Sequence, residues 1–409
     1  MERRPIVQPA YARITYHSRC MRIGINALFL QKPATGSGQH IYHLLQGLDA
    51  VDRSNEYVLL HPRFRRAYPV QFPRLSDRFH NVEQWTRWAK FGESFEKLWW
   101  EQIGLMQATR RERVDLLHSP YFAAPLIQTH PTVVTIHDVI PLVLAEYGRR
   151  ETSRMYTALV SHTSRRANAI IAVSECSRRD IVRTLGIPHD KIHVIGNAVD
   201  PTYYPIKDSW LLAAVRERYN ISRKFILYFG GFDQRKNVHR IIRSYAALPP
   251  ALQDEYQLVI AGRIPLQLMG HPLYPDPRPL VRELGMGDRI IFTGQIREQD
   301  KAPLYSGAAV YLFPSLYEGF GMTVLEAMAC GAPVITSRLS ALPEVVGDAG
   351  VLVDPYSEPA ITEALGELLT SPGRRAELGS AARDRSRNFS WRQVAEQTVR
   401  VYEQVRAAA

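Results

Sequence analysis

The chain alternates short, β-rich apolar runs with helical segments, and it does so twice over. The first set of runs covers 22–27, 57–61, 114–118, 132–136, 169–173 and 192–195. The second covers 225–230, 257–261, 289–293, 310–313, 333–336 and 350–353. Such runs, separated by helices, belong to parallel sheets, because a parallel neighbour is reached only through a long crossover that covers the sheet face. At 409 residues the chain is also too long for one ordinary core. The predicted class is therefore α/β, with two Rossmann-like domains facing a cleft and ligands bound at the carboxyl ends of the strands. The composition changes near residue 200. The expected division is 21–200 for the first domain, 201–222 for a linker, 223–388 for the second domain and 389–409 for a terminal helix. Residues 1–20 contain no apolar h-region, so they are not read as a signal peptide; a disordered extension, or an over-called start ahead of Met21, is expected.

The apolar fraction of 45% and charged fraction of 22% are those of a globular protein. No apolar run approaches the ~20 residues that span a bilayer. Cys20, Cys176 and Cys330 are far apart and odd in number. They suggest neither a zinc site nor a disulfide framework, and a cytoplasmic location is expected. The net charge of +11 favours anionic partners without choosing among them. There is no recognisable nucleic-acid module, so no nucleic-acid partner is expected. A basic nucleic-acid-binding or scaffolding protein remains the reading from a different class.

Residues 84–113 gather Trp85, Trp88, Phe91, Phe95, Trp99 and Trp100 among basic residues. One reading is an interfacial helix at the inner membrane, which would make the protein peripheral to it. The other, which the spacing favours, is an amphipathic helix packed on the sheet through Phe91, Phe95, Leu98 and Gln102.

The stretch most suggestive of chemistry is 311–336, YLFPSLYEGFGMTVLEAMACGAPVIT. A strand runs into a loop with Glu318, Gly319, Phe320 and Gly321, and a helix is expected to begin near Thr323, just after Met322. A glycine loop feeding a helix start suits phosphate binding, because free N–H groups and the helix dipole point at the ligand. Glu318 and Glu326 add carboxylates able to accept sugar hydroxyls. The bland alternative is a capping box, Thr323-Val-Leu-Glu326. A second basic loop, Gly230-Gly231-Phe232-Asp233-Gln234-Arg235-Lys236-Asn237, ends a strand with two cations suited to a diphosphate, or is simply a solvated turn. Gly36 and Gly38 follow the first strand, in a glycine loop or an ordinary turn. His137 stands at the carboxyl end of a strand. Ser174 is an N-cap or a residue lining the cleft. No D-x-D occurs, so no metal clamp and no metal or other cofactor is expected.

The pattern E-G-F-G-x-x-x-L-E-A-M-A-C-G-x-P-V-I resembles the E-x7-E signature of the retaining glycosyltransferases of family 4, and the resemblance runs from about Met21 to the end. It implies the GT-B architecture, with the last helix crossing back to the first domain. It implies a nucleotide-sugar donor and a glycan or lipid-linked acceptor. By resemblance, His137 lies near the transferred sugar, Asn197 near the interdomain cleft, and Gly36 and Gly38 near the donor phosphates. Glu318 with the Phe320–Met322 backbone would hold hexose and phosphate, Glu326 the ribose, and Lys236 with Arg235 the leaving diphosphate. The chain departs from the family at Ala198 and at Gly231, where glycine and arginine respectively are usual. Within this resemblance the expected activity is retaining, metal-independent hexosyl transfer, most like that of bacterial mannosyltransferases using GDP-mannose. The alternative on the same architecture is a sugar phosphorylase or nucleotide-sugar epimerase.

Overall fold

The structure, a computed structural model, describes residues 20–409 except 34, 64–69, 86–91, 150, 266, 267 and 269. The expected extension, Cys20 apart, lies outside the described residues, as do Trp88 and Phe91.

Every strand pairing in both sheets is parallel. In the first domain β1 (Arg22–Asn26), β2 (Glu56–Arg63), β3 (Phe79–Trp85), β4 (Leu116–Ser119), β5 (Thr132–Ile136), β6 (Ala169–Ala172) and β7 (Ile192–Val194) form one sheet ordered β3-β2-β1-β4-β5-β6-β7. In the second, β8 (Lys224–Phe229), β9 (Tyr256–Ala261), β10 (Ile290–Gly294), β11 (Val310–Phe313), β12 (Val334–Ser337) and β13 (Val351–Val353) are ordered β10-β9-β8-β11-β12-β13. Each order reverses beside its first strand, and the loops after the strands flanking that switch face a ligand cleft. The two-domain α/β expectation holds. Strand β3 was not anticipated because it is a polar edge strand with no fully buried residue, so it carries no apolar run.

The chain crosses between the domains twice. The helix Ser209–Arg218 and its neighbours pack Val215, Tyr219 and Ile221 into the second core, so the stretch attached to neither domain is shorter than 201–222. At the end of the chain, the helix Trp391–Ala407 returns to the first domain and adds Trp391, Val394, Ala395, Val401, Tyr402 and Val405 to its core.

The aromatic stretch packs through a different face from the expected one. Residues Glu93–Trp99 and Leu105–Arg111 are α-helical, but Trp100–Gly104 between them widens into a π-turn that rotates the buried face. Trp99, Trp100, Leu105 and Ala108 are buried, whereas Phe95 is 43% exposed. The Trp100 indole N–H donates to Asn26 Oδ1 (3.0 Å) and fixes that rotation. Trp85 lies on β3 and not on a helix, with Arg63 over its ring.

Gly36-Ser37-Gly38 is the first turn of the helix Gly36–Val51 and not a loop; Thr35 Oγ1 caps it by accepting from Gly38 N. A Cβ on Gly38 would lie 2.2 Å from the Lys32 carbonyl oxygen, whereas one on Gly36 meets nothing within 4 Å. Gly38→Ala is expected to destabilise the chain by about 1–3 kcal/mol through overpacking. Gly36→Ala is expected to be neutral or to stabilise by about 0.4–1 kcal/mol. Chemical denaturation of the two variants checks the contrast, and equal effects would contradict it.

Candidate active site

Strand β11 is wholly buried, and the loop after it brings Glu318 to the mouth between the domains. The following helix is Met322–Ala329, with Gly321 as N-cap at φ 116° and no side-chain cap. It begins at Met322, one residue before the expected Thr323. Thr323 is inside the helix, so the capping box is not formed. Glu326 instead accepts from the Tyr305 hydroxyl (2.8 Å). Burial raises the Glu326 carboxyl to about 7, against the pull of Lys301 and the Tyr305 hydrogen bond.

That shift has a measurable consequence. Between the ordinary glutamate value of 4.5 and about 7, the folded chain holds a proton on Glu326 that the unfolded chain has lost. Its contribution to stability therefore falls as pH rises through that window, by no more than about 3 kcal/mol. Glu326→Gln is expected to remove this component, seen as a smaller loss of unfolding free energy between pH 5 and pH 7.5 than in the parent chain. An unchanged pH profile would contradict it.

Glu318 is the hub of a charged cluster. Its Oε1 accepts from Lys236 Nζ (2.6 Å) and Ser315 Oγ (2.7 Å), and its Oε2 lies 2.9 Å from Arg235 Nη1. Burial pushes its carboxyl up, but Lys236 and Arg235 outweigh it and hold the group below the ordinary value. Arg235 is committed further, to Asp233 (3.0 Å) and to the Tyr317 carbonyl (2.8 Å); burial works against its charge, but Glu318 and Asp233 raise its basicity on balance. Asn237, at φ 65°, ends the short turn carrying both cations, and its side-chain amide donates to the Pro314 and Pro355 carbonyls. Before it, Gly230 fits closely beneath the Tyr228 hydroxyl, which donates to the Gly231 carbonyl. Gly231 itself is open: a Cβ there would meet only Asp233 Oδ2, at 3.5 Å.

Gly319 carries the contact between the domains. A Cβ on it would lie 2.0 Å from the His137 carbonyl oxygen. The Ser174 hydroxyl donates to the Gly319 carbonyl (2.7 Å), while Ser177 Oγ lies 3.1 Å from both the Gly319 and His137 carbonyls. Ser174 is also the N-cap of the helix Glu175–Leu185, so its two readings are compatible. Glu344, from the second domain, accepts from the backbone N–H groups of Glu175 and Cys176 at 2.8 and 2.7 Å. The Tyr317 hydroxyl reaches Asp180 (2.7 Å), and that of Tyr147 reaches Asp233 (2.8 Å). Phe320 is buried beside Gly196 and Phe389, and Met322 packs against both cores.

His137 Nε2 lies 3.1 Å from the Pro120 carbonyl, which can only accept, so Nε2 carries the proton. Burial lowers the His137 pKa despite that hydrogen bond and Asp138, which favours a neutral ring with an unprotonated Nδ1. Asp138 orients its own loop by accepting from Ile140 N (3.1 Å). His137, Asp138, Ser37, Phe29, Tyr121 and Tyr156 line a cavity of about 350 Å3 on the first-domain side. Asn197 is not free to meet a ligand through its carbonyl: Oδ1 is 2.7 Å from His40 Nδ1, and the His40 ring packs edge-on against His137. Ala198 is buried in the first core.

His40, Ser177, Ser315, Tyr147 and Glu344 have no local signature in the sequence. His40, Ser177, Tyr147 and Glu344 matter through partners distant in sequence, and Ser315 through a bend that brings it onto Glu318 three residues on; only Ser174 had a local signal, as a helix cap.

Residues 34–203 match the family described as Glycosyltransferase Family 4, and residues 214–385 the family described as glycosyl transferases group 1. The O-antigen chain mannosyltransferase B of Escherichia coli is 30% identical over 298 residues, covering 72% of this chain and 76% of that protein. The MMP alpha-(1->4)-mannosyltransferase of Mycolicibacterium hassiacum is 30% identical over 362 residues, covering 83% of each. Among solved structures, sucrose-phosphate synthase from Thermosynechococcus elongatus superposes with a TM-score of 0.77 at 23% identity, covering 95% of this chain and 100% of that one. The two facing parallel-sheet domains are the GT-B fold, and the chain belongs to the group 1 glycosyltransferases of family 4.

Proposed function

We propose that the protein transfers mannose from GDP-mannose to a hydroxyl of a growing glycan or lipid-linked oligosaccharide, with retention of configuration and without a metal ion. The names of the two mannosyltransferase relatives support the sugar. The observation that carries the reading is the cluster of Glu318, Lys236 and Arg235 at the seam where Gly319 meets His137.

The cluster suits both halves of a nucleotide-sugar. A carboxylate has about four acceptor positions. Two on Glu318 Oε1 and one on Oε2 are filled, which leaves a place on Oε2 for a sugar hydroxyl. Lys236 uses one of its three N–H groups on Glu318, and the others are available to the diphosphate. The helix start at Gly321, without a side-chain cap, adds backbone donors. Glu326 would take the ribose hydroxyls. Together Lys236, Arg235 and this helix start would stabilise the departing diphosphate, which needs no cation of its own. The acceptor sugar would lie in the 350 Å3 cavity, on the faces of Tyr121 and Tyr156, with its hydroxyl near His137. An oxygen of the leaving phosphate, on the same face as the attacking hydroxyl, would take its proton.

Thermal unfolding against GDP-, UDP- and ADP-sugars in EDTA, followed by anomeric analysis of the product, tests this reading. GDP-mannose at ~100 times Kd is expected to add about 2.7 kcal/mol of stability. The product is expected to keep the donor's anomeric configuration. An inverted product, or stabilisation only by another donor or only with added metal, would overturn the corresponding part.

A further inference from the structure

A second cavity, of about 550 Å3, lies where the chain crosses between the domains. Its walls come from both crossings, residues 199–205 and 389–392, and from Ala329 at the end of the Met322–Ala329 helix. Arg383, Arg387 and Arg392 line it, against the single carboxylate of Asp200. Asp200 is already engaged, accepting from Thr202 N (2.7 Å) and lying 3.3 Å from His43 Nε2. Arg387 and Arg392 pair with Asp384 and Glu396 in exposed contacts, which hold a side chain only weakly. The Arg383 guanidinium has no acceptor among the described residues, and its Nε is buried without one. The buried indole N–H of Trp391, another lining residue, is likewise unpaired. Neither of these two atoms is open to solvent, so the donors that a ligand reaches are the Arg383 Nη groups, which an anion with several oxygens satisfies. Beside the arginines, Tyr203 and the 57% exposed Tyr204 offer ring faces of the kind that sugars lie against.

We propose that this cavity, which shares no lining residue with the Glu318, Lys236 and Arg235 cluster, is a second ligand site for a small phosphorylated sugar. Its phosphate is held by Arg383 and Arg387, and its ring by Tyr204. A ligand there touches both crossings, the segments that must bend when the domains move apart. It also abuts the far end of the helix that starts at the donor loop, about 12 Å along at 1.5 Å per residue. Its occupation therefore stiffens the hinge and resists separation of the domains.

The test is calorimetric titration of the full chain with mannose 1-phosphate, inorganic phosphate and uncharged mannose. The parent chain is compared with Arg383→Gln, Arg387→Glu, Tyr204→Ala and Lys236→Ala. Saturable binding of mannose 1-phosphate, but not of mannose, is expected. Affinity should fall at least tenfold in Arg383→Gln and in Arg387→Glu, and stay within twofold in Lys236→Ala, whose change lies in the donor cleft. Tyr204→Ala is expected to lower mannose 1-phosphate to the affinity of inorganic phosphate. The Arg387 side chain is 65% exposed, so its variant carries the test if Arg383→Gln does not fold. Affinity that follows Lys236 and not the arginines would place the ligand in the donor cleft and overturn the proposal, as would no binding at all. Failure of the mannosyl-transfer reading leaves this test untouched, since it measures binding alone.

Discussion

Gly319→Ala is expected to slow transfer by about 10²-fold while leaving both cores folded. The backbone at Gly319 has no positive φ, so alanine is not excluded by local conformation. It is excluded by the other domain: the new Cβ would lie 2.0 Å from the His137 carbonyl oxygen, far inside contact distance. The carbonyl cannot move away freely, because Ser177 holds it and the Gly319 carbonyl together. The domains must therefore separate by an ångström or more at the point where Glu318, Lys236 and His137 converge. A misplacement of ~1 Å at a reacting centre costs on the order of 10²-fold in rate. Gly231→Ala is the control, since its nearest neighbour would be 3.5 Å away, and its activity is expected to stay close to the parent's. Steady-state kinetics together with thermal unfolding of both variants decide the matter. Parent-like turnover in Gly319→Ala would mean that the reaction does not use this closed seam.

Lys236→Ala and Glu318→Ala are expected to fail in different ways. Without Lys236, Glu318 keeps Arg235 and Ser315, so the buried carboxylate stays compensated and the fold survives. What is lost is a cation aimed at the leaving diphosphate, a loss worth about 10²–10³-fold in kcat. Without Glu318, Lys236 and Arg235 remain side by side, with Asp233 paired to Arg235 and Asp138 acting on it only through its field. Breaking a buried pair from one side destabilises by about 3–5 kcal/mol. Lys236→Ala should therefore lower kcat with little change in the unfolding midpoint, while Glu318→Ala lowers both. Equal losses of stability would show that Lys236 is a structural partner and not a phosphate ligand. A kcat within threefold of the parent in Lys236→Ala would remove it from the reaction.

The sheets were legible because parallel strands covered by crossover helices are mostly apolar, and twelve of the thirteen strands carry such a run. The exception, β3, is a solvated edge whose strand character is imposed by β2. The glycine loops were legible as places where backbone needs room. The reasons for each glycine were not: Gly38 yields to Lys32, Gly319 to the opposite domain, and Gly231 to nothing close. The Trp100 contact to Asn26, which sets the face of the aromatic helix, spans 74 residues and has no periodic signature.

Two alternating halves, a glycine loop opening on a helix and a pair of adjacent cations were thus determined by the sequence alone. They rest on interactions over a few residues: strand alternation, helix starts and charge at fixed spacing. Tertiary structure alone decided the pairings, 82 residues from Lys236 to Glu318 and 157 from His40 to Asn197. It also pressed Gly319 against His137 and drew Glu344 onto the helix of the other domain. Those contacts follow from how two separately cored domains settle against each other, and no local pattern in the chain encodes that fit.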